Sequence, residues 1–466
     1  MRAQIKLIMM LVIAGQPAIS STAQDGILDE YIRIGLENNI AIQKSNLSYQ
    51  KDLAVMQEAR GYFLPGLSFH ARYTIARGGR TFEFPAGDML NPLFQNITAL
   101  NTAMAAINPM YPSLPAYPSA DNIIFKFYRP TEHETKFSLI QPLFNPAIYY
   151  NYRIKQVETE IGLTGIEITG RNLVKQITDA YYDYLRSHAF DRLADEVIVL
   201  ATENLRVCNS LYVNNMITSD IVLRAEADLA GAGVTKSETT GAINSSQAMF
   251  NYLLKRDLRE PIIRDTSIVT VPGGETLAES ISLAPSRRPE TALIDKWLEA
   301  NRHFISLTRT DALPVVAGAV DYGFQGEKYS FGKDDDFLLA SVVLRWNISA
   351  GNTARSKTRQ AKIDREMLEL NREELESQIE LQVTTAYYDL NTAFEAAEAA
   401  TRALEPAIVS FGMARARFRE GEVSYAGMLE AQTMMIKAKQ QLLDRQYLFM
   451  KKKAAYNLAT GNTTIK

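Results

Sequence analysis

The chain repeats itself, and this repeat limits what it can fold into more than any other feature. Ala180-Tyr181-Tyr182-Asp183-Tyr184 recurs as Ala386-Tyr387-Tyr388-Asp389-Leu390. At the same offset, Tyr212-Val213-Asn214-Asn215 aligns with Phe418-Arg419-Glu420-Gly421, and Leu223 with Leu429. Upstream, Leu64-Pro65 returns as Leu313-Pro314, each closing a helical stretch. Because the order is kept, each copy reads helix, strand, loop, strand, long helix, tight turn, return helix. The expected boundaries are residues 24–265 for the first copy and 266–466 for the second, preceded by a leader over 1–23.

The long helices are unusual. After Pro146 there is no proline up to Asn215. At 1.5 Å per residue, roughly 70 residues make a rod of about 105 Å. The second copy repeats this from Thr353 to Glu420, interrupted only by Pro406. Such lengths exceed ordinary globular helices and point to coiled-coil packing. Ala393, Ala396, Ala397, Ala399 and Ala400 permit close helix approach. By themselves these arms fit an ordinary soluble coiled coil.

The strands alternate with period two. Leu67, Phe69, Ala71, Tyr73 and Ile75 alternate with Ser68, His70, Arg72 and Thr74; Phe137, Leu139 and Leu143 alternate with Lys136, Ser138 and Ile140. In the second copy, Val316, Gly318, Val320, Tyr322 and Phe324 form one set, as do Leu338, Ala340, Val342, Leu344 and Trp346. Each run has about the 9–11 residues of a membrane strand. An apolar face opposite a small or polar one suits lipid outside and water inside. It equally suits a soluble sandwich with the apolar face in its core.

Arg2 and Lys6, the apolar Leu7 to Gly15 and the small residues Ser21-Thr22-Ala23 read as a signal peptide over 1–23. Its apolar run is too short to span a bilayer. Cys208 is the sole cysteine, so no internal disulfide forms. The formal net charge of −3 becomes more negative without Arg2 and Lys6, which argues against nucleic acid as a partner. Beyond residue 23 no run approaches the roughly 20 apolar residues of a membrane helix, so a membrane crossing would use strands. Four strands cannot close a barrel, and an open edge in lipid is forbidden. Two chains would give eight strands with a filled interior; three would give twelve and a water-filled lumen.

With a signal peptide, paired strands and long hairpins, the chain resembles the TolC-type outer-membrane efflux protein family. Gln141-Pro142-Leu143-Phe144-Asn145, the repeated Ala-Tyr-Tyr-Asp, and the tip turns leading to Asp220-Ile221-Val222-Leu223 and Met428-Leu429 carry the likeness. The resemblance implies a mixed α and β membrane protein with an internal two-fold repeat. Four barrel strands per chain would form a twelve-strand trimeric β-barrel, and long antiparallel helical hairpins would form a periplasmic α-barrel. It implies a passive homotrimeric export channel among outer-membrane lipid. Its partners would be a periplasmic membrane-fusion adaptor and an inner-membrane transporter that supplies the energy.

At the tips, Asn215 and Gly421 occupy positions where helices end in left-handed backbone, and Thr218 and Ser424 are placed to N-cap the return helices. These four are the candidate adaptor contacts. The family often places an aspartate just after the first tip; Asp220 stands one residue early, and Ala426 and Gly427 replace it in the second copy. Arg415, Arg417, Arg419, Glu420 and Glu422 supply charge there instead. Asp220, Arg415, Arg419, Glu420 and Glu422 form the candidate gate, through ion pairs between subunits, although a charged face in water is the plainer account.

The insert between Arg77 and Thr135 is rich in proline, tyrosine and asparagine, with a short helix expected over Leu93 to Ile107. Long barrel loops lie on the outer surface. A cap over the pore, a partner contact and packing among neighbouring loops are the roles open to it. The second loop, Gln325 to Asp336, is short and charged.

No enzyme pattern emerges. His70, His133, His188 and His303 lack metal-ligand spacing, and Gly78-Gly79 and Gly273-Gly274 are isolated pairs. Asp334-Asp335-Asp336 is a charge run in a loop. No catalytic, cofactor or metal site is expected. The alternative to a channel is a non-conducting structural coiled-coil protein of the periplasm.

Overall fold

The alternating and helical patterns sort into two discontinuous compact units in the computed structural model, which describes residues 26–265, 274–348 and 351–463. The signal-peptide segment 1–23 lies outside the described residues. One unit gathers the described residues up to Met56, Ile154–His303 and the chain from Gln360; the other is Gln57–Arg153 with Phe304–Arg359. Each draws on both halves of the sequence, so the repeats interleave rather than fold side by side.

The second unit is built on a four-stranded antiparallel sheet. Its strands are β1 (Gly66–Ile75), β4 (Thr131–Phe144), β5 (Val315–Gly326) and β6 (Asp336–Arg345), in the order β1-β4-β5-β6. Phe69 pairs with Phe137, which pairs with Tyr322, which pairs with Leu338, so one apolar face runs across all four strands. The register slips between Pro142 and Phe144, where proline cannot donate to the ladder.

The insert after β1 carries the short hairpin β2 (Thr81–Phe84) and β3 (Ile123–Lys126), with helix α3 (Ala86–Ile107) between them. This corrects the sequence expectation twice. The helix starts at Ala86, not Leu93, because Asn122 supplies its cap from afar: the Asn122 Oδ1 accepts from the amides of Gly87 at 3.0 Å and Asp88 at 3.2 Å. The insert also ends earlier than Thr135. Thr131 pairs with Ile75, and the β1 ladder extends β4 past the point where its apolar alternation fades.

The first unit is helical. The hairpin α4 (Pro146–Val213) and α5 (Ser219–Leu254) is matched by α8 (Thr353–Arg419) and α9 (Tyr425–Ala459). Pro406 lies within α8 without ending it. Shorter helices α1 (Ile27–Asn38) and α2 (Ile40–Gly61) precede β1, as α6 (Leu277–Arg287) and α7 (Pro289–Arg309) precede β5. One apolar cluster joins Tyr31, Ile177, Tyr181, Tyr184, Phe250 and Leu254. Gly35 lets the helices approach closely there: a Cβ would stand 2.3 Å from the Ile177 Cδ1, which would have to move.

The repeated Ala-Tyr-Tyr-Asp has a physical use. Tyr181 is buried, and its hydroxyl accepts from the Asp265 amide at 2.8 Å and donates to the Ile263 carbonyl at 3.2 Å. The two aspartates each receive a lysine from α9: Lys451 meets Asp183 at 2.9 Å and Lys452 meets Asp389 at 2.6 Å. Consecutive lysines on one helix thus tie it to both long arms.

Candidate functional site

Two features stand out, one in each unit. The sheet presents its apolar face to the outside of the chain: Leu67 is 68% exposed, Leu338 70% and Val342 72%. A soluble sandwich would bury these side chains against a second sheet. The opposite face carries charge. Lys136 bridges Glu134 at 2.8 Å and Asp321 at 3.5 Å, and Arg72 reaches Glu134 at 3.2 Å. The Ser138 hydroxyl donates to Asp321. The charges line up because His70 pairs with Lys136, and Ser138 with Asp321, on one side of the pleat. Strands β1 and β6 are each paired along one edge only.

Among the described residues, no helix is long and apolar enough to cross a membrane.

The other feature is the pair of hairpin tips. Asn215 has φ 54° and Gly421 φ 78°. Each tip closes by the same two bonds: the amides of Asn215 and Met216 reach the carbonyls of Tyr212 and Leu211, and those of Gly421 and Glu422 reach Phe418 and Arg417. This is the Schellman arrangement, which satisfies the last carbonyls of a helix. The caps then differ. The Ser424 Oγ accepts from the Gly427 amide at 3.3 Å. The Thr218 hydroxyl caps nothing, although Thr218 stands at the N-cap position. The Ile221 amide is already held by the Thr218 carbonyl at 3.2 Å, so the donor that the hydroxyl would serve is taken.

The candidate gate charges divide. Arg419 meets Glu203 of α4 at 3.0 Å, and Arg415 approaches the same carboxylate at 3.6 Å. Arg206 holds it at 2.8 Å from within α4. Arg415 and Arg419 are therefore paired inside the chain, whereas the expectation was of pairs between subunits. The reason is helix packing: α8 lies along α4 in a register that puts both arginines at one acid. Asp220, Glu420 and Glu422 are exposed. Arg206, foremost, holds the Glu203 carboxyl below the usual glutamate range, aided by Arg415 and Arg419.

Glu203 has one local signal in the sequence, Arg206 three residues on and on the same helix face. The tip interior has none. Cys208, Ala225, Phe411, Phe418, Tyr425 and Met428 pack together. The Tyr425 hydroxyl donates to Asp228 at 2.9 Å, and the Asn204 amide donates to the Gln432 Oε1 at 2.6 Å in buried surroundings. Burial and then the Asp228 hydrogen bond push the Tyr425 phenol up.

Residues 281–462 match the model of the outer membrane efflux protein family. No curated protein sequence matches the chain. Among solved structures, that of CusC, a protein that forms a transmembrane channel, is 15% identical, with 96% of this chain and 95% of that one covered and a TM-score of 0.75. The Campylobacter jejuni CmeC outer membrane channel is 13% identical, with coverage of 96% and 89% and a TM-score of 0.73. The open state of the Neisseria gonorrhoeae MtrE outer membrane channel is 14% identical, with coverage of 93% and 88% and a TM-score of 0.69. The family likeness read from the sequence is thus borne out over residues 281–462, and the fold is that of the TolC-type channels over nearly the whole chain.

Proposed function

We propose that this chain, with its outer membrane efflux protein match and TolC-type fold, is one third of a passive export channel in the bacterial outer membrane. The observation that carries this is the four-stranded sheet with an exposed apolar face and two open edges. Lipid accepts the apolar face, but it cannot satisfy unpaired strand edges. Three copies pair edge to edge into twelve strands and leave a lumen lined by the Lys136, Glu134 and Asp321 face. A purely structural coiled-coil role would leave the apolar sheet face without a purpose.

The helical hairpins would stand in the periplasm. Their tips would meet a membrane-fusion adaptor and an inner-membrane pump, with the pump supplying the energy. Asn215, Thr218, Gly421 and Ser424 are the proposed adaptor contacts. Asp220, Glu420 and Glu422 remain free for contacts between copies, while Glu203 with Arg415 and Arg419 braces each hairpin pair from inside. Cargo choice would rest with the pump.

The test is the detergent-extracted full chain. A particle with the protein mass of three copies, which conducts ions in a planar bilayer, is the expected result. A one-copy particle whose strands stay inserted, or a trimer that never conducts, would sink the proposal.

A further inference from the structure

Helix α3 of the insert leaves one side uncovered. Its other side is occupied from within the chain: Phe94 stacks on Tyr117 at 5.2 Å, and Asn91 exchanges two hydrogen bonds with Ala120, at 2.9 and 2.8 Å. Opposite stand Met89, Leu93, Asn96, Leu100, Ala103 and Ile107. They follow one another at four, three, four, three and four positions, the spacing of a heptad seam kept along the whole helix. All six are exposed; Leu100 is 64% and Ile107 80% exposed.

The surroundings of the seam narrow its occupant. Asp88 is the only charged residue of α3. Leu90, Ile97 and Met104 flank the seam on one side and Ala99 and Ala106 on the other, so no charge is placed to choose a foreign helix. A helix that lies on a lipid surface needs a strongly charged opposite face, usually rich in lysine and arginine. α3 has neither residue, and its opposite face is partly covered from within the chain. What remains is a like seam. Asn96, the single polar side chain in it, is the device by which identical helices fix their register.

We propose that the α3 helices of neighbouring copies pack seam to seam and form a helical cap at the end of the barrel where the β1–β4 insert emerges. This rests on the trimeric channel proposed above. It assigns the insert a role in assembly and in narrowing the outer mouth.

Cysteine cross-linking of the purified full-length particle tests it. Ala103→Cys lies in the seam, and Ala105→Cys lies on the opposite side of the same helix, equally exposed. A short bifunctional maleimide should give two- and three-chain products with Ala103→Cys and single chains with Ala105→Cys. The same samples are weighed in detergent. A three-copy particle in which Ala103→Cys yields no cross-link and reacts freely with a water-soluble maleimide overturns the cap and leaves the channel standing. Absence of a cross-link, with Ala103→Cys protected from that reagent in lipid vesicles but open to it in detergent, overturns the cap in favour of a membrane-lying helix. A one-copy particle instead removes the channel on which the cap rests.

Discussion

The Tyr456 hydroxyl stands 2.6 Å from the Ser280 Oγ in buried surroundings. Ser280 gives its own proton to the Thr276 carbonyl at 2.9 Å, so Tyr456 is the donor between them. At the matching place in the first half, the Tyr31 ring meets Phe250 edge-on at 5.1 Å. The tyrosine has moved from the short helix to the return helix, and a serine has appeared to satisfy its hydroxyl. Ser280→Ala strands a buried donor and should cost about 1–3 kcal/mol. Ser280→Ala combined with Tyr456→Phe should cost less than the sum of the two single changes. Denaturant unfolding of the four proteins measures this; strict additivity would show that the pair is not coupled.

That exchange also shows what the sequence can tell a reader. The repeat, the helix limits and the strand alternation were legible because each is set by neighbours along the chain. Pro146–Val213 and Thr353–Arg419 fall within two residues of their expected limits. The start of α3 was not legible because Asn122 caps it from beyond the helix. The Glu203 hub was not legible because it depends on how α8 slides along α4, a property of packing and not of pattern.

Gly421 and Gly461, both in left-handed backbone, should differ in tolerance. Gly421 has φ 78° with open space around it, whereas a Cβ on Gly461, at φ 76°, would lie 2.6 Å from the Arg287 Cβ. Gly421→Ala carries only the left-handed penalty of about 1–2 kcal/mol. Gly461→Ala carries a similar penalty plus a clash with backbone, and should lower the thermal transition further. Lys255 holds φ 56° at the place that matches Gly461, so Lys255→Gly should raise stability or leave it unchanged. Thermal melts of the three variants rank them; equal losses at Gly421 and Gly461 would contradict the packing argument.

The Glu203 hub implies a defined pH response. Its carboxyl is held below the ordinary value of 4.5, so the native state binds that proton less readily than the unfolded chain. Its contribution is therefore complete at neutral pH. It falls away only as pH drops below 4.5 and through the depressed folded value. Glu203→Gln at neutral pH should loosen the tips as acid does in the parent. Hydrogen exchange at the amides of 203–206 and 415–419 reads this; protection unchanged by the substitution would show that the hub braces nothing.

Cys208 is fully buried, and burial, then Asp228, pushes its thiol up from the ordinary value. Both effects keep it protonated and out of reach. The native protein should resist maleimide at neutral pH and react stoichiometrically once denatured, making Cys208 a built-in reporter of tip opening. Tyr425→Phe removes the hydroxyl that satisfies Asp228 beside it and should speed labelling under native conditions. Rapid labelling of the parent protein would contradict the tip packing.

The two faces of the sheet should respond oppositely to charge. Val342 is 72% exposed on the apolar face, and Ser341 is its neighbour on the other side of the pleat. If lipid meets the apolar face, Val342→Arg places a guanidinium in hydrocarbon, at about 2–4 kcal/mol near the midplane. Ser341→Arg places the same group in water, near the Asp321 carboxylate, because Ala319 pairs with Ser341 and Asp321 with Leu339 along the same face. Val342→Arg should therefore reduce the yield of membrane-inserted particle. Ser341→Arg should insert normally and shift ion selectivity toward anions. Extraction yield and reversal potential in a salt gradient separate the two. Normal insertion of Val342→Arg alongside loss of Ser341→Arg would mean that the sheet faces the other way.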